Sequence, residues 1–143
     1  MQTGWTIIVM THTTYFIKYD TNELVQVIPQ DYLDALDNYS GNGKIACIIS
    51  GHTHRDRITA TAGGIPIVIV TCDKYRVYTD PVTGNQDLNV TRTLGTITEQ
   101  AFDVVVLDKT NKKLTFIRIG AQALNGTGNN PGTAVEYREV TYT

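Results

Sequence analysis

Ile45-Ala46-Cys47-Ile48-Ile49-Ser50-Gly51-His52-Thr53-His54 is a short apolar, β-branched run that stops at a glycine and at once presents two histidines. Such a run reads as a buried strand, and α/β proteins gather their chemistry at the carboxyl ends of strands. Side chains alternate along an extended chain, so His52 and His54 are expected on one side with Thr53 turned away. Gly51 removes a Cβ where the backbone must turn sharply or let something approach. Working outward, Trp5-Thr6-Ile7-Ile8-Val9-Met10-Thr11 is a second apolar strand, and His12 follows it. The chain has 3 histidines, so all of them stand at the ends of two predicted strands. One histidine alone is more often a surface or satisfied core residue. A strand end needs no imidazole to fold, however, and imidazole is the commonest metal ligand. The three together point to a shared metal or phosphate site.

Between the two strands, Pro29 opens a helix in which Tyr32, Leu33, Leu36 and Tyr39 recur at helical spacing and Gly41 provides a stop. Asp31, Asp34 and Asp37 fall on its polar side, a solvated face rather than a metal site. Strand, covering helix and second strand make a crossover unit, which brings both strand ends to one edge. Thr14 to Tyr19 has strand-like composition, with Tyr15 and Tyr19 expected in ordinary packing.

After the histidines, Ile58 to Ala62 and Ile65 to Val70 flank Gly63-Gly64, a hairpin signal, and Pro66 places the start of its second strand at an edge or bulge. Arg55 and Arg57 are candidates for a substrate phosphate, with surface ion pairing as the plainer reading. Asp56 either orients His52 or His54 from behind or is solvated. Residues 73–94 are turn-rich and read as a surface loop. Phe102 to Leu107 and Leu114 to Ile119 form a second hairpin with a polar tip, and residues 123–143 form a flexible tail that ends in a candidate edge strand, Val135 to Tyr142.

At 143 residues and 41% apolar, the chain has the length and hydrophobic content of one domain. Its net charge of -2 is spread without long runs and gives no footprint for nucleic acid or an anionic membrane. Any phosphate binding would therefore come from metal. Cys47 and Cys72 read as buried free thiols, which suits a reducing, cytoplasmic compartment. The amino terminus carries neither a signal core nor a membrane span.

Gly51-His52-Thr53-His54, with Thr11-His12 at the end of an earlier strand, resembles the carboxyl-terminal half of the calcineurin-like metallophosphoesterases. Those proteins carry Asp-x-His, Gly-Asp and Gly-Asn-His, then a lone histidine after a strand, then Gly-His-x-His. His12 resembles the lone histidine and His52 the first of the pair, both of which bind the second metal in that family. His54 resembles the ligand of the first metal. The likeness covers most of Trp5 to Ala121 and implies residues 1–122 as the half-domain. The fold it implies is α/β leaning to α+β: a layered, sandwich-like, strand-rich half with one main helix.

Asp-x-His, Gly-Asp and Gly-Asn-His have no counterpart in the chain. The resemblance thus implies half of a two-metal hydrolase for phosphomono- or diesters, with Mn, Fe or Zn as the ions. Alone it is expected to be inactive, and its partners are the phosphoester and the missing amino-terminal half. The strands left exposed without that half invite a homo-oligomer. The alternative is a non-enzymatic, β-rich interaction or structural domain with a vestigial or single-metal site.

Overall fold

The computed structural model describes residues 4–18, 21, 23–52, 56–70, 95, 101–120 and 135–143. Its elements run β1 (Trp5–Thr11), β2 (Tyr15–Ile17), β3 (Leu24–Gln26), α1 (Gln30–Asp37), β4 (Gly43–Ser50), β5 (Arg57–Ala60), β6 (Pro66–Ile69), β7 (Ala101–Asp108), β8 (Lys113–Gly120) and β9 (Val135–Thr141). The fold is strand-dominated α+β, with α1 the only helix among the described residues. That helix is too short to cross a membrane. The expected surface loop 73–94, Cys72 and Tyr19, and the tail up to residue 134, lie outside the described residues.

A four-stranded sheet in the order β1-β4-β6-β5 forms the middle layer. β1 and β4 pair in parallel, as do β4 and β6, while β5 returns antiparallel to β6. Alternation divides the apolar residues of these strands between two faces. Ile48, Ile67 and Ile69 pack with Leu33 of α1, joined by Tyr15 and Leu24 from the β2-β3 hairpin. Cys47 and Val68 turn the other way, against Leu114, Phe116, Val140 and Tyr142 of the antiparallel sheet β7-β8-β9. A helix and hairpin thus cover one face, and a second sheet covers the other. The pairing of β1 with β4 shifts by one residue between Ile7 and Ile8, opposite Ala46. This bulge explains why the successive residues Ala46 and Cys47 share one cluster.

Three expectations are corrected here. Pro66 begins a strand that lies inside the sheet, not at its edge. Pairing with β4 starts only at Ile67, so the missing N–H falls at the first residue of the strand, where a ladder loses nothing. The helix ends at Asp37, short of Tyr39 and of the expected stop at Gly41, and of the residues at helical spacing it buries only Leu33 fully. Asp37 is not simply solvated. Its carboxylate accepts from Thr61 Oγ1 and, at 2.8 Å, from the Gly63 N–H, tying the end of α1 to the β5-β6 turn.

Candidate metal centre

The parallel register sets Thr11 beside Ser50, so His12 and Gly51 leave their strands together. The Gly51 N–H donates to the His12 carbonyl at 3.0 Å, and the Val70 N–H donates to the Ser50 carbonyl at 2.8 Å. The ends of β1, β4 and β6 are therefore held in one line. Just beyond them, His12 Nε2 and His52 Nδ1 lie 2.8 Å apart. Their rings meet edge to face, with centroids 4.8 Å apart and planes at 70°. Both rings are exposed to solvent.

The turn is made by His52, at φ +72°, in the left-handed region. Extended geometry ends at Ser50, so side-chain alternation does not govern where His52 points. The alternation from which the shared side of His52 and His54 is expected therefore stops before His52. Gly51 does not take the left-handed conformation, and an added Cβ there would sit 3.9 Å from the His12 and Val70 carbonyl oxygens, ordinary contact. His54 and Arg55 lie outside the described residues. Among the described residues, no group of three or more histidines, cysteines, aspartates or glutamates is placed to hold a metal ion.

Two imidazole nitrogens converging on one exposed point are a donor set suited to Zn, Mn, Fe or Co, and they leave coordination positions open. Their chemistry fits such an ion in part: His12 would bind through Nε2 and His52 through Nδ1. In the 2.8 Å contact one of these nitrogens must carry the shared proton. Metal binding therefore requires the proton on the other nitrogen of each ring.

Asp56 is buried, which removes the solvated alternative. Arg118 Nη1 and Nη2 donate to its two oxygens at 2.7 and 2.6 Å, and Arg138 Nη1 donates to Oδ1 at 3.0 Å. Asp103 takes Arg118 Nε at 2.7 Å and Arg138 Nη2 at 2.7 Å. Each carboxylate serves both guanidiniums. Burial opposes the charge on Arg118, but the hydrogen bonds that it donates to Asp56 and Asp103 outweigh it and hold its pKa above the ordinary value. Arg57 is half-buried on β5, opposite Ile69.

Arg118, Arg138 and Asp103 were not singled out as site residues from sequence. A signal existed for Arg118: in Leu114-x-Phe116-x-Arg118 it occupies the third place on an apolar alternating face, where a lone charge demands a buried partner. Beside this cluster runs a mostly apolar groove of about 360 Å³ whose lining includes Met10, Ile49, Val70, Phe102 and Arg118. Among the described residues, neither His12 nor His52 lines it. Comparison of the chain with protein-family models, curated proteins and solved structures finds no match.

Proposed function

We propose that this chain is the histidine-bearing half of a metal-dependent phosphoesterase, acting on phosphomono- or diesters when a complementary half supplies carboxylates. The observation that carries the reading is the 2.8 Å approach of His12 Nε2 to His52 Nδ1, because residues 40 positions apart meet at the carboxyl ends of adjacent parallel strands. A bound divalent ion would polarise a phosphoryl oxygen and acidify a coordinated water. The chain's own residues would do three things. His12 and His52 would offer neutral nitrogen lone pairs. The strand ends would fix the distance between the two rings. The exposed side of the pair would leave room for substrate. His54, and Arg55 or Arg57 toward the phosphate, complete the proposed set from this chain. We assign the chain to the cytoplasm, where a free buried thiol such as Cys47 is at home.

Elemental analysis after equilibration with Mn or Zn, on the parent and on His12→Ala and His52→Ala, tests the reading. About one ion per chain, lost in both variants, is expected, with no turnover of a chromogenic phosphodiester by the chain alone. No binding in the parent overturns it. The second reading, a non-enzymatic interaction domain, then moves ahead. One observation favours that reading independently: β7 is an edge strand among the described residues, and it exposes Phe102, Val104, Val105 and Val106.

A further inference from the structure

At the end of β1 and β4 opposite the histidines, an open pocket of about 420 Å³ forms between the middle layer and the β7-β8 turn, and its lining includes Lys44, Lys109 and Lys112. Among the described residues, no aspartate or glutamate lines it and none forms an ion pair with these three lysines. The carboxylates of the adjoining strands are engaged elsewhere: Asp108 accepts from Asn111, and Glu139 accepts from Lys113 and Thr115. Three ammonium groups gathered without a counter-ion, in a chain of net charge -2, concentrate the local attraction for an anion. Lys112 carries a further sign. Among the described residues it is, with His52, one of two non-glycine residues at positive φ, at +50°, and it fills a turn position that glycine or asparagine takes at less cost.

Trp5 lines the same pocket and is 78% exposed. One exposed tryptophan needs no explanation by itself. Beside three unpaired lysines, it supplies a surface on which a planar ring can stack. We infer that this pocket is a binding site for a mononucleotide of the di- or triphosphate class: Lys44, Lys109 and Lys112 take the phosphates, and the base stacks on Trp5. A polynucleotide is the poorer occupant, because it needs a track of cations and the charges of this chain are spread without long runs. Such binding needs no metal. At about 3.3 Å per residue, the seven residues of β1 put the pocket roughly 20 Å from His12. A nucleotide held here is therefore a ligand of its own site and not the substrate of the histidine pair.

The chain has 1 tryptophan, so its emission reports on this pocket. Titration of the full chain with ADP in the presence of EDTA is expected to quench that emission saturably, with an affinity that falls as salt is raised. Adenosine should bind at least about tenfold more weakly. Lys44→Gln/Lys112→Gly should weaken ADP by about tenfold or more, whereas Lys18→Gln, which changes a lysine outside the lining, should leave it unaltered. In calorimetry Trp5→Ala should weaken ADP by about tenfold and leave pyrophosphate binding where it was. No quenching by ADP, equal affinity for adenosine, unchanged affinity in the double lysine variant, or equal effects on ADP and pyrophosphate in Trp5→Ala would each overturn the inference. Tighter binding of oligothymidylate than of ADP would do the same, by making the ligand a polynucleotide. His12→Ala and His52→Ala should bind ADP as the parent does, which separates the outcome from that of the metal-site reading.

Discussion

Thr14 and Ser50 meet beneath the two histidines: their hydroxyls lie 2.8 Å apart, both fully out of solvent. Thr14 stands two residues after His12 and Ser50 two before His52, so this single bond ties together the two segments that carry the rings. Thr14→Val keeps the shape and removes the partner of a buried hydroxyl, which costs about 1–3 kcal/mol. Adding Ser50→Ala removes the stranded group. Urea unfolding should therefore show Thr14→Val/Ser50→Ala losing less than the sum of the two single changes, a coupling read directly from the double-mutant cycle.

His52 adopts a conformation that L-residues other than asparagine, aspartate and histidine seldom take. A non-glycine residue there carries about 1–2 kcal/mol of strain, a cost consistent with a ring held for function. His52→Gly should leave stability unchanged or raise it by up to about 1 kcal/mol while abolishing metal uptake. Gly51→Ala, by contrast, meets only ordinary contacts and should leave the unfolding midpoint where it was. A large destabilisation by Gly51→Ala would contradict this account of the turn.

The two histidine-bearing strands, the helix between them and both later hairpins were legible because each rests on local signals: apolar runs, helical spacing, Gly-Gly and a polar tip. The site was legible only as far as residue type and strand ends could take it. That His12 and His52 face each other depends on a one-residue bulge opposite Ala46 and on a left-handed His52, and neither has a sequence signature. Asp56 looked like any loop aspartate because its partners lie 62 and 82 residues away. Asp37 looked like one of three equivalent helix aspartates, yet only it reaches the β5-β6 turn.

That reach gives Asp37 a measurable role. Its carboxylate holds the Thr61 hydroxyl and the Gly63 amide, and hydrogen bonds to a charged acceptor are worth about 1.5–3 kcal/mol. Asp37→Ala should cost an amount in that range by urea unfolding. Gly63→Ala should also destabilise, since its Cβ would fall 2.6 Å from the Asp37 carboxylate. In an Asp37→Ala background the same glycine change should cost distinctly less.

An exposed apolar edge strand is a template for pairing with another chain. Val104 and Val106 of β7 are close to half exposed, and Val105 on the opposite face is more than a third exposed. Sedimentation of the parent should reveal concentration-dependent association, and Val104→Lys, which places a charge on that edge, should shift the population towards monomer. Identical sedimentation of the two proteins would remove β7 from consideration as an association surface.

Cys47 is wholly buried between the layers, and burial pushes its thiol up from the ordinary 9.0 to about 12. Between these values the folded chain retains a proton that the unfolded chain releases, so the unfolded state binds fewer protons and stability falls as pH rises. The contribution is fully present below about pH 9 and is lost on the way to about 12, with a slope of at most about 1.4 kcal/mol per pH unit. Urea midpoints measured across that window should decline more steeply for the parent than for Cys47→Ala, the comparison that cancels tyrosine and lysine titration. At about pH 8 the thiolate is the reactive form, so iodoacetamide should leave Cys47 unmodified in the native chain and label it in denaturant, as peptide mass mapping would reveal. Rapid native labelling at Cys47 would mean that the two sheets part readily, and that the packing which carries the histidine-bearing strand is looser than this structure has it.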